Sequence, residues 1–193
     1  MKKIITISGY SGSGKSTLIQ QLSQKYQFDI IKFGMVHRES TKNSGYRYAK
    51  DWIKEKGFSV YEKQLLICFR DKIISTVNKS NNVIIIDGIF SDKCFKYMRS
   101  VEGIKLNNIV LDTSYNVRVS RMMERERMSY DDAIRHLSVT DSIKQEAGLA
   151  HIIKDYDYII NGNIQKEQIM EACVSILESL EVYSDSQLIE KEI

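Results

Sequence analysis

Residues 9 to 17 read Gly9-Tyr10-Ser11-Gly12-Ser13-Gly14-Lys15-Ser16-Thr17, and the first eight fit G-x-x-x-x-G-K-[ST] at every fixed position. That spacing holds phosphate. The glycines let successive N–H groups curl around a β-phosphate, and a helix opening there adds partial positive charge. Lys15 can then reach the β- and γ-phosphates, while the Ser16 hydroxyl suits Mg²⁺. A flexible Gly/Ser turn is the plain alternative. It is disfavoured by the flanks: the β-branched run Ile4-Ile5-Thr6-Ile7 comes before, and Leu18, Ile19 and Leu22 follow on one helical face.

Four further groups could complete such a site. Asp87 ends the run Val83-Ile84-Ile85-Ile86 and precedes Gly88, where a carboxylate would face the phosphate loop from a neighbouring strand and hold the metal directly or through water. Arg118, Arg121 and Arg125 are spaced by three and then four, so they share a helix face. Their planar, permanently charged heads suit a phosphoryl group in transfer. The bland readings are an Asp-Gly turn for the first and a solvated helix, salted with Glu124 and Glu126, for the second. Asn161-Gly162 is either a loop against a nucleotide base or a tight turn. Arg38, shortly after Gly34, is either an acceptor contact or a surface arginine. His37, His136 and His151 form no cluster and read as ordinary polar residues, and Trp52 and the tyrosines are scattered.

These residues need a sheet to carry them. Strands are expected over 2–8, 28–33, 83–87, 108–112 and 156–160, with helices over 15–25, 46–77 (broken near Lys56-Gly57), 91–100, 115–128 and 165–182. Ser129 reads as the N-cap of another helix, with Asp132 three residues on. Asn81-Asn82 and Asn161-Gly162 turn the chain. Strands alternating with helices imply a parallel sheet covered on both faces, with ligands beyond the strand C-termini.

Bulk properties set limits. The chain has 193 residues, enough for one α/β domain, with a formal net charge of +3, too small to argue for a nucleic acid. Cys68, Cys94 and Cys173 lack any metal-ligand or disulfide spacing, which fits structural thiols and a cytoplasmic protein. The apolar run near the N-terminus is too short for a signal peptide, and none is long enough for a membrane span.

In order along the chain, the phosphate loop, IIKFGMVHRE, VIIIDGIFSD, the R-x-x-R-x-x-x-R helix, RERMSYDDAIRHL and YDYIINGN resemble the segments of P-loop nucleoside monophosphate kinases and dephospho-CoA kinases. IIKFGMVHRE is also similar to the segment after the second strand in archaeal-type cytidylate kinases and in a P-loop kinase-like family related to dephospho-CoA kinase. The likeness runs from residue 1 to about 180. It implies a three-layer α/β/α fold with a five-stranded parallel sheet ordered 2-3-1-4-5, forming a single domain over residues 1–182 with a polar tail over 183–193. A small helical lid at about 118–135 and an acceptor-binding region at about 34–80 are implied as well. So are ATP and Mg²⁺. By position, Gly9, Ser11, Gly12, Ser13, Gly14, Lys15, Ser16 and Thr17 would bind the nucleotide, with Arg121 on the adenine, Arg125 on the phosphates and Asn161-Gly162 near the base. Gly34, Arg38 and Arg118 would serve the acceptor, and Ser16 with Asp87 the metal.

One departure bears on the acceptor. Dephospho-CoA kinases carry an aspartate just after the second strand, whereas this chain reads Ile31-Lys32-Phe33-Gly34-Met35. A hydroxyl acceptor benefits from a base, while a phosphate monoester is already nucleophilic at neutral pH. A nucleoside monophosphate is therefore the expected acceptor unless Asp29, Asp87 or Asp92 substitutes, with a CoA precursor as the alternative. A regulatory ATP-binding protein is the reading from another class. A GTPase is disfavoured, because Asn78-Lys79-Ser80-Asn81 lacks the guanine-reading acid and precedes a strand. The protein is expected as a monomer or homodimer.

Overall fold

In the computed structural model, which describes residues 1–80 and 82–182, the expected strands form one five-stranded parallel sheet. They are β1 (Lys2–Ser8), β2 (Asp29–Lys32), β3 (Ile84–Asp87), β4 (Ile104–Asp112) and β5 (Tyr158–Asn161), in the order β2-β3-β1-β4-β5. Registers such as Ile7 to Asp87 and Ser8 to Val110 bring the C-terminal ends of the three central strands level. The first phosphate-loop residue follows directly from that edge.

The near-continuous apolar strands reflect burial on two faces. Ile4, Ile84 and Ile86 pack on α2 (Phe33–Asn43), α3 (Ala49–Lys56), α4 (Phe58–Lys79), α5 (Asp92–Ser100) and α8 (Leu149–Lys154). Ile5, Ile7 and Ile85 face α1 (Lys15–Ser23) and α9 (Lys166–Ser179). A third, small core of Val119, Met122, Ala133 and Leu137 joins α6 (Tyr115–Glu126) to α7 (Tyr130–Glu146). This helix pair occupies the segment expected to form a lid.

Two helices escaped the sequence reading. α2 starts at Phe33 without a side-chain cap and carries Gly34 in its first turn, so Gly34 and Arg38 are helical. α8 is short and follows Gly148. β4 begins four residues earlier than expected, at Ile104. There Asn108 tolerates the sheet interior because it accepts from Thr6 and Ser8 and donates to the Ile152 and Asp155 carbonyls. Ser129 caps α7 by accepting the Asp132 N–H at 3.2 Å. The tail over 183–193 and the Asn81 half of the Asn81-Asn82 turn lie outside the described residues.

Candidate functional site

The phosphate loop spans the gap between β1 and α1 at the edge where ligands of parallel sheets bind. Gly12 sits at φ +77°, and a Cβ there would stand 3.0 Å from the Arg118 carbonyl, so only glycine allows α6 to approach the loop this closely. The Lys15 side chain folds back into the loop. Its Nζ donates to the Tyr10 carbonyl at 2.8 Å and to Ser13 Oγ at 3.0 Å. Burial, and then the nearby Lys144 charge, push the Lys15 pKa down to about 7. Beside it, Ser16 Oγ donates to Asp87 Oδ2 at 3.1 Å, which brings together the two residues expected to hold metal. These are hard oxygen donors, and Mg²⁺ usually takes only one or two from protein and the rest from phosphate and water. No cluster of three or more His, Cys, Asp or Glu exists among the described residues to suggest a different metal.

The three spaced arginines have three different fates. Arg121 donates from Nη1 to the Ser13 carbonyl and from Nη2 to the Gly162 carbonyl, both at 2.8 Å. It thereby clamps the phosphate loop to the loop after β5. Arg118 is 7% exposed, lies between the Tyr10 and Tyr115 rings, and donates to the Ser11 carbonyl and, at 2.6 Å, to Asp141 Oδ2. Its guanidinium is thus committed to the loop and to α7. Arg125 is exposed and bonded to its neighbour Glu126. A cavity of about 440 Å³ is lined by Gly12, Gly14, Lys15, Ser16 and Thr17 on one side and by Arg121 and Arg125 on the other.

The remaining expected residues are more dispersed. Gly162 contributes its carbonyl to Arg121, while Asn161 Oδ1 accepts from Asn163 and so builds the turn. Arg38 is exposed and has no hydrogen bond or ion pair among the described residues. Of the acids that could replace a missing base, Asp29 sits at the far end of β2, level with Ile84 rather than Asp87. Asp92 is paired to Lys96 at 2.6 Å.

A family model described as an AAA domain matches residues 8–138. The chain belongs to the AAA domain family. It is also similar to a UPF0200 protein of Saccharolobus islandicus, at 21% identity over 180 residues that cover 90% of this chain and 92% of the relative. A cytidylate kinase of Methanococcoides burtonii is 26% identical over 171 residues, covering 83% and 87%. TT1252 from Thermus thermophilus has the same fold, with a TM-score of 0.65, 14% identity and coverage of 95% and 99%. Family, fold and relatives make the chain a P-loop, nucleoside monophosphate kinase-like protein, a phosphotransferase whose acceptor is open.

Within this AAA domain protein, two site residues were missed by the sequence reading. Asp141 accepts from Arg118 and from the Ser11 N–H, and Lys144 donates to Ser11 Oγ at 2.8 Å while lying over the Phe90 ring. Burial lowers the Lys144 pKa. A signal for the first was present: Ala133, Leu137 and Asp141 form one buried stripe on α7, and an acid at a core position of that stripe needs a partner. His37, read as ordinary, packs against Tyr61 and Phe90 next to this cluster, and its pKa falls to about 4 through burial and the Arg38 and Lys144 charges. No helix among the described residues is long and apolar enough to cross a membrane.

Proposed function

We propose that this chain moves the γ-phosphoryl group of ATP to a nucleoside monophosphate, with cytidylate first among the candidates. The observation that carries the reading is one convergence. Lys15 and Ser16 line a cavity of about 440 Å³ together with Arg121 and Arg125, and Asp87 hydrogen-bonds Ser16 at its edge. ATP brings the phosphoryl group, and Mg²⁺ bound with it neutralises charge on the phosphate oxygens. Ser16 Oγ and the Asp87 carboxylate would hold that ion. Lys15 exchanges the Tyr10 carbonyl and Ser13 Oγ for phosphate oxygens. Arg121, already fixed by two carbonyls, presents a rigid planar edge to the cavity. Arg125, exposed and held by its neighbour Glu126 and by the weakly accepting Met122 sulfur, would turn from these to the phosphates and exclude water.

A phosphate acceptor is favoured because the carboxylates nearest the loop are already engaged. Asp87 is engaged with Ser16, Asp141 with Arg118 and Ser11, and Asp92 with Lys96. A phosphate monoester with a second pKa near about 6 needs none. The likeness to a cytidylate kinase supports the same class.

The test is ADP release from ATP and Mg²⁺ with CMP, UMP, AMP, GMP, their deoxy forms and dephospho-CoA. CMP-dependent turnover that disappears in Lys15→Met is the expected result. Turnover with dephospho-CoA alone would replace the acceptor by a hydroxyl. ATP binding with no stimulation by any acceptor would make the chain a regulatory nucleotide-binding protein.

A further inference from the structure

Helix α4 carries apolar residues on two opposite sides. Tyr61, Leu65, Phe69 and Ile73 form the inner face, at most 2% exposed, and pack on the sheet side. At about 100° per residue the opposite side falls on Val60, Ile67 and Ile74, which are 51%, 41% and 47% exposed. They are spaced by seven, about two turns, so they fall along one line of the helix, with Lys63, Gln64, Arg70 and Asp71 between them. A helix that covers a sheet typically carries polar residues there. Exposed Lys63 and Asp71 flank Ile67, and neither has an ion-pair partner among the described residues.

We propose that a second copy of this chain covers this face, with the two α4 helices antiparallel about a two-fold axis through Ile67. A residue before Ile67 then meets the one equally far after it on the other copy. Ile67 meets the partner's Ile67, Val60 meets the partner's Ile74, Lys63 meets the partner's Asp71, and Gln64 meets the partner's Arg70. Symmetry repeats each contact, as an isologous interface requires. The parallel arrangement would instead set Lys63 on Lys63 and Arg70 on Arg70, which like charges disfavour. Shape agrees with the antiparallel choice. A concavity of about 540 Å³, lined by Trp52, Lys56, Val60, Lys63 and Ile67, lies along the N-terminal half of α4, where the partner's Asp71-to-Ile74 segment arrives. Lys56 there is paired with Glu55 at 2.9 Å, so it is Lys63 that offers the partner's Asp71 an opposite charge.

Sedimentation equilibrium of the full chain tests this. The monomer is 22.4 kDa, so a concentration-dependent rise towards twice that mass is expected for the unmodified protein. Because Ile67 faces itself, Ile67→Lys and Ile67→Asp should each be monomeric, while an equimolar mixture of the two should regain the dimer mass. Lys63→Asp should weaken association by tenfold or more, and adding Asp71→Lys to it should restore it. Should a substitution at Ile67 abolish the cooperative thermal transition, the Lys63/Asp71 swap decides instead. A protein that stays monomeric at 100 µM, an Ile67→Lys variant that still dimerises, or a charge swap without rescue would each overturn the proposal.

Discussion

The phosphate-loop side of the sheet's C-terminal edge and the α2 side, the proposed donor and acceptor sides, are built on different terms. On the donor side, Lys15, Ser16, Arg118 and Arg121 each hold a named partner, and the loop carbonyls of Tyr10, Ser11 and Ser13 are all engaged by cationic side chains. Around α2, where the acceptor is proposed to bind, Gly34 has nothing within 4 Å of where a side chain would stand, Arg38 is exposed, and His37 Nε2, Ser40 Oγ and Tyr61 Oη are buried without a hydrogen-bond partner, against Arg118 Nε alone among the loop's cations. The difference teaches that the phosphate loop is held in its curl by this chain's own cationic side chains, whereas the groups around α2 keep bonding capacity for the proposed acceptor.

Arg118→Met attacks the first half of that contrast. It strands the Asp141 carboxylate in a buried position, so a loss of about 3–5 kcal/mol in denaturant unfolding is expected. The matching Arg38→Met should stay within about 0.5 kcal/mol while raising the acceptor KM. If the two changes cost the same stability, the contrast fails.

Lys15→Met should lower turnover by about 10²–10³-fold, the scale of losing a preorganised phosphoryl-stabilising group. It also carries a pH signature. With its pKa near 7 in the folded state and near its ordinary 10.5 when unfolded, Lys15 binds fewer protons folded than unfolded between those values. Its contribution to stability therefore rises with pH across that window, and is at its constant worst below pH 7. The thiols of Cys94 and Cys173, pushed up to about 12 by burial, act in the opposite direction at alkaline pH. The melting temperature of the ligand-free protein minus that of Lys15→Met, followed from pH 7 to 8.5, should increase, because the thiol effect cancels in the difference.

Glycines sharpen the comparison at smaller scale. At Gly162 a Cβ would run into Thr113 Oγ1 and stand 2.8 Å from the Asp112 carbonyl, so Gly162→Ala should cost about 1–3 kcal/mol and weaken ATP binding through the carbonyl that holds Arg121. Gly34→Ala meets nothing and lies in a helix, so it should raise stability by up to about 0.5–1 kcal/mol. A lowered melting temperature for Gly34→Ala would show that this glycine is already constrained.

Legibility follows the same divide. The phosphate loop, Asp87 and the Ser129 cap could be read because each depends on contacts within a few residues or on a fixed place at a strand end. The arginine face could be read from its spacing, but not the distinct fates of its members. Arg118 meets a carboxylate 23 positions away, and Lys144 meets Ser11 across 133. Only the packing of α7 over the loop brings these together. Helix α2 was hidden for a local reason: the chain passes from β2 into it without a capping side chain, and glycine in the first turn reads as a break.

The inward fold of Lys15 has one more consequence. Its ammonium sits in the hollow of its own loop, bonded to the Tyr10 carbonyl and Ser13 Oγ. Arrival of a polyphosphate is then an exchange of partners. Because an incoming anion favours the charged form of an amine whose pKa burial has lowered to about 7, each binding event at or above that pH should draw a fraction of a proton from the buffer. The heat of ATP binding would accordingly vary with the ionisation enthalpy of that buffer.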